Sequence, residues 1–414
     1  MSAEFAAPIL FQPQEVRRKA HAFLDLGVAG KLNHVVLDLT KLDDALGLVL
    51  ETTKQNYPDF QIPPYGIWRA FEAGGVDRWS AMASAREFET AQEMLLAAAD
   101  LAVLAMFMKT RHPANWVFED PMTGSKVDGA DALALAAFHM FASGSFSGEM
   151  TDPYRADAET LVRLDLNELT TGLQWDRDTD RDLLNTMQTH LKRFGEAMAL
   201  RPDLFSEGKV TRPGVLALRL AGEAGAGIDA SKLLDNLLET FAPVWDGGAK
   251  VGNVGLGDSF DYAGNLTASE MTTVPFHLTA QEMVYSLVEP FAWAGFEVTG
   301  LENITPPSDL AHAALFIHAG VLVIGAENGE ALSEQTTIDR MIELRSVSAA
   351  LADKLADRLR SELDVSADQV PLTCILEGGT SRTGHRILSQ NANLFKKLGQ
   401  YLNPRTVFWL PFGA

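Results

Sequence analysis

The spacing of apolar residues along the chain predicts a mainly helical protein. Apolar side chains recur every three or four residues over several long segments, which is the period of an amphipathic helix. These segments are 13–26, 42–56, 81–108, 130–141, 181–200, 344–363 and 384–398, and Pro213 stands where a further helix can begin. Residues 1–240 are therefore predicted to form a mainly helical part.

The segment 57–79 interrupts this helical pattern. Its prolines and glycines forbid a continuous helix or strand, whereas Trp68, Phe71 and Trp79 require burial. We expect an ordered loop that its aromatic side chains hold in place.

Residues that favour β-structure become frequent only after residue 295. We predict an extended piece at 34–39, a hairpin or two adjacent strands over 296–298 and 313–326, and short strands at 372–376 and 407–410. The predicted fold class is α+β, predominantly helical, with a small β-sheet in the C-terminal half. Because no repeat or linker divides the chain, 1–414 is predicted to be a single compact unit, and its α+β part, 241–414, carries most of the candidate site.

The net charge of the chain limits the classes of molecule that it is expected to bind. The 414 residues include 55 acidic and 34 basic side chains, for a formal net charge of −21. Nucleic acid and anionic membranes are poor partners for such a chain, because binding them requires a basic surface. The 47% hydrophobic content is sufficient for a large core. We expect a small-molecule substrate, and a homodimer is compatible with this composition.

Cysteine usage and the N-terminal sequence predict a cytoplasmic location. The one cysteine, Cys374, lies in an apolar run and has no intramolecular disulfide partner. No apolar segment of the kind found in secretory signals accompanies Arg17 and Arg18. The most apolar stretch, 95–108, is short for a membrane span and carries Asp100, so we interpret it as a core helix.

Several kinds of chemistry lack a sequence signal. The glycine-rich segment 246–261 contains neither a P-loop nor a dinucleotide fingerprint, so no cofactor is predicted. Histidine spacing typical of zinc sites is absent, so no metal is predicted. No G-x-S-x-G motif is present, and Cys374 lacks polar neighbours in the sequence. Carboxylates and histidine remain as the candidate chemical groups.

Four polar residues fall on one face of a predicted helix. His277 stands near its start, and Gln281, Tyr285 and Glu289 follow at intervals of four. The helix dipole disfavours a charged imidazole at this end, which suits a neutral hydrogen-bonding role. The alternative is a buried hydrogen-bond network that only holds the fold.

Acidic residues beside glycines form a second group of candidates. Glu377, Gly378 and Thr380 lie in a predicted turn between a strand and a helix, where backbone N–H groups and a carboxylate can meet a ligand. Alternatively, the glycines make the turn and Glu377 caps the helix. Asp258, which follows two glycines, either binds a ligand or acts in catalysis, or it only forms an Asx-turn. Asp77 either belongs to the site or forms a structural bridge to Arg78 or Arg69.

Ordered sequence blocks along nearly the whole chain resemble the uracil-catabolism family of fungi and bacteria. The blocks are 27–34 (GVAGKLNH), 56–63 (NYPDFQIP), 71–79 (FEAGGVDRW), 256–258 (LGD), 275–277 (PFH), 320–322 (GVL) and 376–380 (LEGGT). The resemblance implies action on a ribosylurea-type intermediate that arises when the ring of a uracil nucleotide is opened. Release of urea from the sugar would be N-glycosidic hydrolysis.

The chain departs from the family pattern at several polar positions. Its loop 65–70 keeps Trp68 and Arg69 but lacks two histidines and an arginine of that pattern. A lysine after the PFH block and an arginine near Asp309 are also replaced, and Ser381 and His385 stand where tryptophan and arginine are usual. Because arginine and lysine supply the charge-assisted bonds that phosphate needs, we expect an altered substrate.

These observations leave three hypotheses open. The first is an N-glycosyl hydrolase with an altered substrate; the others are a different hydrolase or lyase in a biosynthetic cluster, and a non-catalytic paralogue that binds a small ligand or an active homologue. For the first, Glu377 or Asp258 supplies the carboxylate that stabilises the sugar or activates water, and His277 hydrogen-bonds the leaving group. The residues expected to bind substrate are Trp68, Arg69, Asp77, Gln281, Tyr285, Glu289, Asp309, Gly378 and Thr380.

Overall fold

The computed structural model describes residues 9–223, 227–264, 273–325, 332–403, 405–406 and 408–410. Most of these residues are helical, and the predicted class, predominantly helical α+β, is confirmed. The buried apolar side chains form one cluster that extends from Phe11 to Leu410, so helices from both halves of the chain share a core.

The helices of the N-terminal half are α1 (Pro13–Val28), α2 (Leu42–Asn56), α3 (Arg78–Arg86), α4 (Ala91–Met108), α5 (Gly129–Ala142), α6 (Ala158–Val162), α7 (Leu166–Leu173), α8 (Arg181–Ala199) and α9 (Pro202–Phe205). Those of the C-terminal half are α10 (Gly214–Glu223), α11 (Ala230–Phe241), α12 (Leu278–Trp293), α13 (Leu310–His318), α14 (Glu334–Leu363), α15 (Leu372–Ile375), α16 (Ser381–Gln390) and α17 (Ala392–Gly399). A short 3₁₀ segment covers Ile67–Gly75 within the predicted aromatic loop, with a kink at Ala73 and Gly74.

The β-structure of the described residues consists of two-stranded ladders rather than one sheet. The strands are β1 (Val35–Leu37), β2 (Val117–Glu119), β3 (Lys126–Asp128), β4 (Ser206–Glu207), β5 (Val210–Thr211), β6 (Ile228–Asp229), β7 (Lys250–Val251), β8 (Val254–Gly255), β9 (Ser259–Asp261), β10 (Thr273–Pro275), β11 (Val298–Thr299) and β12 (Leu322–Ile324). β1 pairs antiparallel with β12, with Val35 opposite Ile324, and this ladder joins the N-terminal and C-terminal halves of the chain.

Three of the predicted strands are corrected. Residues 372–376 are helical and continue as a π-helical turn, Leu376–Thr380, into α16. In the predicted hairpin at 313–326, residues 313–318 belong to helix α13, and β12 is the single strand among the described residues of this segment. The described part of 407–410 is not a strand. Short apolar runs of this kind suit a buried helix as well as a buried strand, because periodicity does not distinguish them.

Helix α4 is long and apolar enough to span a membrane, and it is the single such helix among the described residues. However, 72% of it is buried within the fold. Its Asp100 accepts hydrogen bonds from Arg212 and from the backbone N–H groups of Ala156 and Gly214. A core helix, as predicted, accounts for these contacts; the cytoplasmic location stays a prediction.

Close helix packing depends on glycine at two positions. Gly384 of α16 faces the backbone of Ala311 in α13, and a Cβ atom at residue 384 would overlap the Ala311 carbonyl oxygen. Gly66 lies against the backbone of Tyr285 and Ser286 in α12, where a Cβ would come within 3.1 Å of Ser286 Cα. These contacts bring the loop 57–79 and helices α12, α13 and α16 together around one polar region.

Candidate functional site

Polar side chains from distant parts of the chain meet in a partly exposed cluster that we call the central cleft. It is defined by Tyr57, Tyr65, Arg69, Glu72, Lys109, Asp131, Glu282, Glu289, Asp309, His312, Glu377, Thr380, Arg382 and His385. His385 keeps an exposed surface although desolvation by surrounding protein lowers its pKa, which is typical of a side chain in a recess. The side chains of Arg382 and Lys109 are 40% and 21% exposed, so both are partly open to solvent.

Glu377 lies on the π-helical turn at one side of the central cleft. Its Oε1 accepts hydrogen bonds from the Tyr57 hydroxyl at 3.0 Å and from Nε of Arg382 at 2.8 Å. Burial, together with the neighbouring Glu377 carboxylate, raises the pKa of Tyr57 to about 12. π-Turns within α-helices frequently occur at functional sites, and this one presents a carboxylate flanked by two donors.

Glu289 is the second carboxylate on this side of the cleft. Nη2 of Arg69 lies 2.6 Å from its Oε1 and 2.9 Å from its Oε2, while Nη1 of the same arginine lies 3.0 Å from Glu72 Oε1. Burial raises the pKa of Glu289 to about 7; Arg69 opposes this shift, and Glu72 and Glu377 add to it. Glu289 therefore titrates near neutral pH and has both forms available for proton transfer.

A tyrosine, a carboxylate and a lysine line the other side of the cleft. The Tyr65 hydroxyl donates to Glu282 Oε1 at 2.8 Å, and Lys109 Nζ lies 3.0 Å and 3.2 Å from the two Glu282 oxygens. Burial raises the pKa of Tyr65, and the Glu282 carboxylate adds to the shift. Burial would lower the pKa of Lys109, but the carboxylates of Glu282, Asp309 and Asp131 together outweigh it and the pKa is raised.

Asp309, His312 and Thr380 form a buried relay beneath His385. Asp309 Oδ1 lies 2.8 Å from His312 Nδ1, and His312 Nε2 lies 3.0 Å from Thr380 Oγ1. Although burial would raise the pKa of Asp309, the adjacent His312 lowers it to about 2. A proton on Nδ1 directed at Asp309 leaves Nε2 to accept from the threonine hydroxyl, which is the polarity of acid–histidine–hydroxyl triads.

The structure brings five of the residues predicted from sequence into the central cleft: Arg69, Glu289, Asp309, Glu377 and Thr380. Gly378 lies beside Glu377, inside the helical run rather than in a turn, where a Cβ would approach Ile62 Cδ1 to 2.8 Å. Its role is therefore to permit close packing, because its backbone belongs to a helix rather than to an open loop.

Asp258 and His277 lie in a separate buried network. The guanidinium of Arg345 contacts both oxygens of Asp258, at 2.6 Å and 2.7 Å, and the backbone N–H of Leu278 donates to Asp258 Oδ2 at 2.9 Å. His277 precedes α12 in a left-handed conformation, and its Nε2 lies 2.8 Å from the carbonyl oxygen of Leu10. The structure does not bring these two residues to Glu377.

The remaining predicted residues make contacts that hold α12 and the aromatic loop. Gln281 bonds the Phe276 carbonyl and Thr305, and the buried Tyr285 hydroxyl donates to the carbonyls of Ile304 and Thr305. Trp68 donates from Nε1 to the Ser286 carbonyl at 2.7 Å behind the cleft. Asp77 caps α3 by accepting from the Ser80 backbone at 2.9 Å, while Arg78 pairs with Asp120 instead.

Sequence reasoning did not select several residues of the cleft: Tyr57, Tyr65, Glu72, Lys109, Asp131, Glu282, His312, Arg382 and His385. A lysine directly after the apolar run 95–108 was one available signal, because a cation at the end of a core helix needs a partner. Among the residues that the structure describes, no group of three or more His, Cys, Asp or Glu side chains is arranged to hold a metal ion.

The chain belongs to the family described as protein of unknown function, DUF1688, whose family model matches residues 9–396. This confirms the resemblance that the ordered sequence blocks indicate.

Two curated relatives cover most of the chain. It is 26% identical over 398 residues to "Protein urg3" of Schizosaccharomyces pombe, covering 94% of each sequence. It is also 26% identical over 399 residues to "Uracil catabolism protein 4" of Lachancea kluyveri, covering 86% of this chain and 88% of the relative.

Proposed function

We propose that the protein takes part in uracil catabolism or a related nucleoside breakdown, as a hydrolase of an N-glycosidic bond in a ribosylurea-like compound. The name of one relative, "Uracil catabolism protein 4", supports the pathway. The observation that carries the chemistry is that Glu289 and Glu377 both lie in the central cleft, each beside an arginine, and that burial raises the pKa of Glu289 to about 7.

Two carboxylates of this kind divide the work of glycosidic hydrolysis. Glu289, in its protonated form, donates a proton to the leaving nitrogen as the bond from the anomeric carbon to nitrogen breaks. Glu377 stabilises the positive charge that develops on the sugar and orients a water molecule, whose oxygen joins the anomeric carbon. The attacking water gives its proton to Glu377, and proton exchange with solvent then deprotonates Glu377 and reprotonates Glu289.

The proposal uses Glu377 from the sequence hypothesis and replaces the other two catalytic candidates. Both oxygens of Asp258 are engaged by Arg345, and its Oδ2 also by the backbone of Leu278, so neither oxygen faces an open site. His277 is buried, and its Nε2 contacts the carbonyl oxygen of Leu10 rather than any residue that defines the central cleft. Glu289 takes the acid role because its pKa matches a proton donor at neutral pH.

A second candidate is hydrolysis at the ureido carbonyl, which the Asp309–His312–Thr380 relay favours. Thr380 Oγ1 would bond to the carbonyl carbon, the carbon–nitrogen bond would break, and His312 would pass the hydroxyl proton to the leaving amine. Water would then release carbamate from Thr380. The burial of Thr380, at 1% exposed, opposes this candidate, and intact urea would not be a product.

A thermal-shift screen followed by a urea assay tests the proposal. The ligands are N-ribosylurea, its 5-phosphate, uridine, ribose and ribose 5-phosphate, and a ligand that binds the folded state raises the apparent melting temperature. We expect a shift with a ribosylurea compound and release of intact urea from it. No shift and no urea, beside an active family member as control, would favour a non-catalytic binding protein.

A further inference from the structure

We infer that the central cleft takes its substrate without a phosphate group, as an uncharged ureido sugar. This inference rests on the proposed function and specifies its substrate class. The reason lies in the charges that face the cleft and in the way in which they are already paired.

Carboxylates outnumber cations two to one among the residues that define the cleft. The acidic side chains are Glu72, Asp131, Glu282, Glu289, Asp309 and Glu377. The permanent cations are Arg69, Lys109 and Arg382. Even with Glu289 in its protonated form, five carboxylates would face these three permanent cations. A phosphate dianion would therefore enter a region of like charge.

Each cation of the cleft already has a carboxylate partner. Lys109 contacts Glu282 at 3.0 Å, Arg69 contacts Glu289 at 2.6 Å, and the distance from Arg382 to Glu377 is also 2.6 Å. A phosphate that drew one of these cations away from its carboxylate would separate an ion pair. The Glu282 and Glu377 side chains are only 7% and 4% exposed, so the carboxylate left behind would be almost without solvation.

An uncharged ureido sugar suits the same set of groups. Carboxylate oxygens accept hydrogen bonds, while urea N–H groups and sugar hydroxyls donate them. Such a ligand can use the second lone pairs of the paired carboxylates without separating any ion pair. The excess of acceptors in the cleft thus becomes a recognition surface for a ligand rich in donors.

Glu282 offers a direct way to test this inference. In Glu282→Gln the Tyr65 hydroxyl keeps an oxygen acceptor, but Lys109 loses its charged partner and becomes available to phosphate. Glu223→Gln is the matched control, because Glu223 pairs with Lys232 on the exposed surface. Its replacement removes the same charge outside the cleft. Both changes are made in a Glu289→Gln background, which slows turnover during titration.

Calorimetric titration with N-ribosylurea and its 5-phosphate gives the affinity ratio. In the Glu289→Gln background we expect N-ribosylurea to bind about ten-fold or more tightly than its 5-phosphate. Adding Glu282→Gln should reduce this affinity ratio by roughly ten-fold, whereas adding Glu223→Gln should leave it unchanged. Any of three results would overturn the inference. They are equal or tighter binding of the 5-phosphate, binding of neither compound, and an affinity ratio in Glu282→Gln that matches the ratio in the Glu223→Gln control.

Urea release by the wild-type protein separates this inference from the proposed function. Faster release of urea from the 5-phosphate than from N-ribosylurea would support the proposed hydrolase function and overturn the inference about its substrate. A clear binding preference for N-ribosylurea, with no urea released from either compound, would retain the ligand class and overturn the hydrolase.

Discussion

Arg382 Nη2 lies 2.6 Å from Oε1 of Glu377, five residues earlier on the same helical run. In an α-helix, residues three or four apart are neighbours, whereas residues five apart diverge around the axis. The π-turn Leu376–Thr380 widens the helix at this point, so that the two side chains meet. A local change in helical geometry thus creates the carboxylate–guanidinium pair at the side of the central cleft.

Replacement of Glu377 by glutamine tests the carboxylate itself. Glutamine keeps an acceptor for Tyr57 but removes the charge that stabilises the developing cation, so we expect urea release to fall by roughly 100-fold or more. The melting temperature should stay within a few degrees of wild type. Glu223→Gln, with its exposed ion pair, serves as the control. Retained activity, or loss of the folded state, would remove Glu377 from its catalytic role.

The pH profile tests the proton donor. Because the pKa of Glu289 is raised to about 7, the protonated form disappears as the pH rises through that value. We expect kcat/KM for urea release to decline above about pH 7, and the decline to be absent from the residual activity of Glu289→Gln. A wild-type profile that rises through pH 7 and 8 would exclude Glu289 as the acid.

The raised pKa of Glu289 also predicts that the stability of the fold changes with pH. A carboxyl whose pKa is raised from 4.5 in the unfolded chain to about 7 in the fold stabilises the protein below pH 4.5, and this contribution is lost as the pH rises through 7. The free energy of unfolding of wild type, relative to Glu289→Gln, should therefore decrease between pH 5 and pH 8. Denaturant titrations at each pH measure it, and a constant difference would show that the pKa is not raised.

Asp258 is expected to contribute to stability rather than to catalysis. Asp258→Asn leaves the buried Arg345 without a counter-charge, and loss of one partner of a buried pair costs roughly 3–5 kcal/mol of unfolding free energy. Asp77→Asn is the control, because asparagine caps a helix as well as aspartate and the change should stay within about 0.5 kcal/mol. Equal effects of the two variants in denaturant titrations would contradict this assignment.

The contact between α13 and α16 is predicted to hold the relay beside the cleft. Gly384→Ala places a methyl group against the Ala311 carbonyl and should both destabilise the fold and weaken ligand binding. Gly47→Ala is the matched change in α2, where nothing lies within 4 Å, and should stabilise by about 0.5–1 kcal/mol. Paired thermal melts and ligand titrations measure both effects. Tolerance of alanine at 384 without loss of binding would contradict the predicted packing.

Helical periodicity was sufficient to predict most of the fold. The predicted helix 42–56 matches α2 (Leu42–Asn56) in full, since its polar and apolar residues alternate with a clear helical period. It failed at 372–376 and 313–318, where most residues are buried and no long polar face reveals the period. The pairing of β1 with β12 could not be predicted from local sequence patterns, because the two strands lie almost 300 residues apart.

The candidate site was predicted only in part, for a related reason. Glu377 and Thr380 were found because they flank a distinctive glycine pair, and Arg69 and Glu289 because each lies in a segment with other polar candidates. Lys109, Glu282 and His385 come from three distant helices or their ends, and only tertiary packing brings them together. Asp258 and Glu377 look alike in the sequence; what separates them is the buried Arg345 beside one and the solvent-reached cleft beside the other.

The most direct test of the central claim is the identity of the nitrogen product when purified protein is incubated with N-ribosylurea. Cleavage of the N-glycosidic bond predicts one intact urea for each ribose, with the Glu377→Gln variant producing almost none. Ammonia without urea would contradict that claim and place the reaction at the ureido carbonyl, where the Asp309–His312–Thr380 relay would account for it. Absence of both products at high protein concentration would contradict hydrolysis of this compound altogether.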